Sequence, residues 1–129
     1  MSAVVARGYA FNRTRQVYLA TPLHVAKTHW SRFRGLMGTD AGNFVTGQGL
    51  WIVPSRGVHT FAMRFPIDVI YLDGSNTVIY AAENLKPWRL APVRMSAASV
   101  LELPGSTLSS TRTAVGDEIE ISVQEAGCA

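Results

Sequence analysis

Short apolar runs, broken often by turn residues, mark most of this chain, and their period changes once. Residues 16–21 read as a strand after a polar turn at Asn12-Arg13-Thr14. Pro22 lacks a backbone donor and is expected to disturb or end the pairing there, with Leu23-His24-Val25-Ala26 resuming it. The period then becomes helical over 28–38. Thr28 is a capping residue, and Trp30, Phe33 and Met37 fall on one face. Gly35 or Gly38 is placed to end that helix in a left-handed conformation. A glycine-rich loop (Gly42, Gly47, Gly49) precedes the short apolar strand Leu50-Trp51-Ile52-Val53, and Pro54-Ser55-Arg56-Gly57 has turn chemistry. Residues 58–64 read as the next strand. Residues 67–72 are apolar on both faces apart from Asp68, so they are expected to form a central, buried strand. Asp73-Gly74-Ser75-Asn76 is a hairpin signal leading into 77–81. Lys86-Pro87-Trp88 and Ala91-Pro92 make an irregular connection. Residues 99–103 form a strand ended by Pro104-Gly105, and 117–123 alternate between an apolar and a polar face. The pattern predicts a mainly-β domain, a β-sandwich or open barrel with one or two short helices.

Composition narrows this picture. The chain has 129 residues, 47% hydrophobic and 16% charged. That is one globular domain, large enough to fold without a disulfide or metal. No repeat, low-complexity stretch or linker divides it, and residues 1–8 are expected to fray. The lone cysteine, Cys128, excludes a disulfide framework and a cysteine-based zinc site, and reads as a solvated thiol on the tail. The first seven residues lack the roughly 7–15 apolar residues of a signal peptide. No window approaches the ~18 of a membrane span, so a cytoplasmic protein with no membrane partner is expected. Net charge is +3, but residues 1–64 hold eight Lys/Arg against one acid, and residues 65–129 hold four against eight. Either the halves neutralise each other in space or they present a basic face to an anionic ligand. The basic residues are scattered, which gives no strong nucleic-acid signal.

Four groups carry candidate chemistry. Alternation over 58–64 puts His59, Phe61, Met63 and Phe65 on one face and Val58, Thr60, Ala62 and Arg64 on the other. His59 then sits among large apolar neighbours, where a hydrogen-bonded core histidine is the ordinary outcome. His59 and Met63 would suit a soft ion, but four strand residues span roughly 13 Å, so no metal is expected. Asp68 follows Ile67 inside an apolar strand, and a carboxylate there needs a partner. Arg64 and Arg34 are the expected ones, making either a buried ion pair that sets the register of the sheet or a ligand acceptor or general base at a cleft. Glu102 lies between Leu101 and Leu103 and would complete an acid–base set with Asp68 and His59, although spacing does not show that they meet. Trp51, Trp88, Tyr71 and Tyr80 would suit a carbohydrate or aromatic pocket, with buried packing as the ordinary alternative. No nucleophile elbow, phosphate loop, dinucleotide fingerprint or His-Glu-Xaa-Xaa-His motif is present, and no cofactor is implied.

Several blocks together resemble a known family. They are Arg34-Gly35-Leu36-Met37-Gly38, His59-Thr60-Phe61-Ala62-Met63-Arg64-Phe65-Pro66-Ile67-Asp68 running on to Asp73-Gly74, Leu85-Lys86-Pro87-Trp88, Val100-Leu101-Glu102-Leu103-Pro104 and Val115-Gly116-Asp117. In order and spacing they resemble the domain-of-unknown-function 192 family over about residues 21–123, with the middle block the most specific. The resemblance implies a compact jelly-roll-like β domain and no established activity. Many members carry an export signal or lipid anchor, for which this chain shows no pattern. The family often has Ala-Gly where Gly105-Ser106 stands here, so a different turn is expected.

Three functions follow as expectations. The first is a binding domain for a small anionic ligand or peptide, with a cleft near Arg34, Thr60, His59, Arg64 and Asp68. The second is an acid–base, hydrolase-like enzyme using Asp68 with His59 or Glu102. The third is a protein-interaction accessory domain using an exposed edge strand. The pattern leaves oligomeric state open.

Overall fold

The computed structural model describes residues 6–26, 47–60 and 63–125. Seven strands make one sheet: β1 (Ala6–Asn12), β2 (Val17–Ala26), β3 (Gly49–Ile52), β4 (Ile67–Leu72), β5 (Val78–Leu85), β6 (Ser99–Pro104) and β7 (Ile119–Glu125). Their order is β5-β4-β6-β3-β2-β1-β7. Every pairing is antiparallel except β2 with β3. A single helical turn, α1 (Thr107–Thr111), follows β6. The mainly-β expectation holds, in the form of one open, curled sheet that does not close into a barrel. Its two outer strands approach at their starts, where Thr77 bridges Glu118 and the Val78 amide donates to the Asp117 carbonyl.

Alternation along the strands sorts the core onto two faces. Asp68, Ile70 and Leu72 of β4 and Ser99, Leu101 and Leu103 of β6 point to the face that carries α1. There they pack with Leu19, Leu23, Val78, Leu108 and Ile119. Ile67, Val69, Tyr71, Val100 and Glu102 point to the other face. Met63, Ala91 and Ala97, from the connections around β4 and between β5 and β6, pack onto it. All six residues of β4 are buried, as the unbroken apolar pattern predicted.

One expectation is met and two are corrected. Pro22 disturbs its strand without ending it, and β2 runs on through residues 23–26. The register against β1 shifts between Gly8↔Leu23 and Ala10↔Ala20, so Pro22 sits in an irregularity where no donor is needed. Residues 6–8 do not fray but pair with both β2 and β7. At Gly8 the neighbouring chain comes so close that a Cβ would lie 1.7 Å from the Ser122 carbonyl oxygen. The described residues of the segment, 58–60 and 63–64, form no strand. His59 makes an isolated bridge with Leu90, and the Met63 amide donates to the Thr60 carbonyl. The helix expected over 28–38 lies outside the described residues, as do Arg34 and the cysteine.

Ser106 takes a left-handed backbone (φ 70°), and its own side chain does not cap α1. No described helix is long and apolar enough to cross a membrane.

Candidate functional site

Asp68 is fully buried, on the α1 face. Its Oδ1 accepts from the Asn84 amide (2.8 Å) and the Ser106 amide (3.1 Å), and its Oδ2 from the Leu108 amide (2.7 Å). The carboxylate therefore caps α1 from a neighbouring strand and ties β4 to β5 and to the turn after β6. Three backbone donors supply the compensation that burial demands. Arg64, one of the two expected partners, is exposed and is not among these donors, and Arg34, the other, lies outside the described residues. Among the described residues the ion pair is Arg15–Asp117.

Glu102 is 2% exposed and lies on the opposite face, flanked across the ladder by Val69 and Leu50. Its Oε1 accepts no hydrogen bond. Burial pushes its carboxyl up to about 8. Asp68 and Glu102 stand on adjacent register positions of paired strands but point to opposite sides of the sheet, so the expected acid–base set does not assemble. Trp51 is likewise on the α1 face, whereas Tyr71 stacks with Tyr80 on the other (centroids 4.8 Å apart), so the four aromatic residues do not share one pocket.

Thr60, expected to face away from Met63, is buried along with it. The failed alternation has a physical cause: Thr60 serves the connection after β5 rather than a strand partner. Its amide donates to the Arg89 carbonyl (2.8 Å), and its carbonyl accepts from Trp88 (2.8 Å). Its hydroxyl donates to the Lys86 carbonyl (2.7 Å) and accepts from the Arg89 amide (2.7 Å). Tyr71 adds a second pin, its hydroxyl donating to the Pro92 carbonyl at 2.6 Å. Burial pushes that phenol up to about 12, so it remains a donor. We expect Thr60→Val to lose roughly 1–3 kcal/mol, because a buried amide and carbonyl lose their partner. Thr60→Ser should stay near wild type, and urea denaturation with amide exchange at Arg89 reads both effects.

These clamps shape two neighbouring clefts on the loop side. One, about 600 Å³, is lined by Pro54, Ser55, Arg56, Ala97 and Ala98. The other, about 260 Å³, is lined by Arg56, Gly57, Val58, His59, Leu90, Ala91 and Val93. Arg56 borders both and is exposed, and His59 is half-buried. Of the predicted site residues, His59 alone lines a described cleft. Thr60 holds the wall behind it, and Asp68 and Glu102 line neither cleft. Sequence reading placed Arg56 in a turn without marking it as a site residue. The signal available was a cation set in turn chemistry opposite a second basic connection, Lys86 to Arg94.

A second polar cluster escaped the sequence reading altogether. Asp117 is buried and accepts from Arg15 Nε (3.0 Å), Asn12 Nδ2 (2.9 Å) and the Ala114 amide (3.0 Å). Burial alone would raise its carboxyl, but these donors outweigh it and hold the group below the usual carboxylate range. Among the described residues, no group of three His, Cys, Asp or Glu could hold a metal ion.

Comparison with known proteins agrees with this architecture. The family described as Uncharacterized ACR, COG1430 (DUF192) matches residues 10–121. A UPF0127 protein of Thermococcus sibiricus is 32% identical over 119 residues, covering 88% of this chain and 75% of the relative. A UPF0127 protein of Pyrococcus abyssi is 28% identical over 118 residues, covering 88% of this chain and 97% of the relative. The crystal structure of a protein of unknown function from Novosphingobium aromaticivorans superposes with a TM-score of 0.72 at 19% identity, over 91% of this chain and 84% of that one. With 112 consecutive residues matched, the chain belongs to the uncharacterised DUF192 (UPF0127) family.

Proposed function

We propose that this chain is a binding domain for a small anionic ligand or a short acidic peptide, with its site at the cleft bordered by Arg56 and His59. One observation carries the reading: the cleft joins a guanidinium and an imidazole to an apolar wall of Val58, Leu90 and Val93. A planar guanidinium matches a carboxylate or phosphate in two-point contact, and the apolar wall would take an adjoining side chain. Asp68 and Thr60 support the site as structure, since their polar atoms are occupied by backbone groups.

A thermal-shift panel tests this with citrate, inorganic phosphate, glucose and an acetylated Asp-Leu dipeptide. We expect an acid to raise the midpoint in a concentration-dependent way, glucose to leave it unchanged, and Arg56→Ala to remove the shift. No shift from any acid, or an equal shift in Arg56→Ala, would refute the reading.

Acid–base chemistry at Glu102 is the second reading. It rests on a buried carboxyl that changes charge at about 8. It stands second because Glu102 lines neither described cleft.

A further inference from the structure

Four of the six exposed large hydrophobic residues among those described lie within eight positions: Trp88 (63% exposed), Leu90 (72%), Val93 (66%) and Met95 (73%). Single exposed apolar residues are ordinary, but a cluster marks a contact surface. The same connection carries Lys86, Arg89 and Arg94, all exposed, and no acid occurs between Leu85 and Leu101. Arg56 joins them from the facing turn, where its carbonyl accepts from the Arg94 amide. The connection is therefore apolar and cationic with no acid of its own, and the Arg94 guanidinium lies over the Tyr80 ring, 4.9 Å from its centroid.

The connection is also preorganised. Thr60 grips it at Lys86, Trp88 and Arg89, Tyr71 at Pro92, and the Ala91 amide donates to Val58. Trp88 is held in a left-handed backbone (φ 63°), which is costly for a bulky side chain. The clamp at Thr60 thus holds a strained backbone that leaves the indole mostly in solvent.

We infer that this loop docks the protein on an anionic lipid bilayer, with Trp88, Leu90, Val93 and Met95 entering the headgroup boundary and Lys86, Arg89, Arg94 and Arg56 facing the lipid charge. A tryptophan with aliphatic neighbours and flanking cations matches that boundary. The exposures favour a bilayer as the occupant of the whole loop. Side chains about two-thirds exposed stand out from the surface and insert, and Trp88 and Met95 lie outside the cleft that would receive a short ligand. Docking of this kind needs no spanning segment. It shares Arg56, Leu90 and Val93 with the proposed cleft but requires no soluble ligand.

Co-sedimentation of the full chain tests it, using vesicles of phosphatidylcholine alone and of equimolar phosphatidylcholine and phosphatidylglycerol. We expect binding to the mixed vesicles, little to the neutral ones, and weakening by salt. Lys86→Glu with Arg89→Glu should lower binding by on the order of tenfold or more, and Leu90→Ser with Val93→Ser by about tenfold. Both pairs are surface changes and should keep the wild-type thermal midpoint. No binding to mixed vesicles, equal binding to both vesicle types, or binding indifferent to the Leu90/Val93 pair overturns the inference. So does binding of an acidic peptide without vesicle binding. A thermal shift by citrate without vesicle binding overturns the bilayer and spares the cleft, and vesicle binding without any citrate shift does the reverse.

Discussion

Glu102→Gln should make this protein more stable at pH 9 by several kcal/mol while changing little at pH 5. The wild-type carboxyl is pushed up to about 8 by burial, from its ordinary value of 4.5. Below that lower value both folded and unfolded chains hold the proton, and Glu102 adds no pH dependence. Between the two values the unfolded chain releases its proton while the folded chain keeps it, so rising pH favours unfolding. Above about 8 the folded chain must carry a buried charge flanked by Val69 and Leu50, and the loss is complete. At 1.36 kcal/mol per pH unit the full loss is of the order of 4–5 kcal/mol. Glutamine keeps the shape without the charge and removes the slope. Urea denaturation of both proteins across this pH range gives the difference directly. Parallel pH profiles would show that Glu102 titrates normally and is not buried as described.

Asp68→Ala should cost about 3–5 kcal/mol, because the amides of Asn84, Ser106 and Leu108 would lose their acceptor together. Asp68→Asn should cost less, on the order of 2 kcal/mol. Its oxygen can still accept from Asn84 and Ser106, but its amide meets the Leu108 N–H donor to donor. The ordering of the two variants distinguishes this cap from an ion pair, in which either change would remove the charge that matters. A denaturation midpoint equal to wild type in Asp68→Ala would contradict the assignment. Such a buried carboxylate is a fold determinant, and its replacement should reduce binding only through loss of folded protein.

These two acids show what the sequence made legible and what it hid. The buried strand at β4, the hairpin at Asp73-Gly74-Ser75-Asn76 and the half-exposed β7 were all visible, because each rests on local periodicity or turn chemistry. Asp68 and Glu102 were visible as acids in apolar strands needing explanation. Their partners were not, because those depend on which face each strand turns to which neighbour. β4 and β6 are about 30 residues apart in sequence, and only their register places the two carboxyls on opposite sides. The segment from Val58 onward misled for a related reason. Its alternation was genuine, but the backbone groups of residues 58–60 pair with residues 88–91 rather than with a strand of the sheet, and Thr60 is turned inward. Arg56 and the exposed Trp88, Leu90, Val93 and Met95 gave no periodic signal, since irregular connections have none. The family blocks gave the order of these segments without their roles. The block ending in Asp68 holds β4, β5 and α1 together, and the cleft proposed for binding is bordered by the loops in front of Thr60.

The most direct test of that division is a proton–nitrogen NMR titration of the wild-type chain with citrate. The amides of Arg56, Gly57, His59, Leu90 and Val93 should shift progressively, while those of Asn84, Ser106 and Leu108 around Asp68 stay in place. Shifts centred on Asn84, Ser106 and Leu108, or a spectrum that does not change, would contradict it.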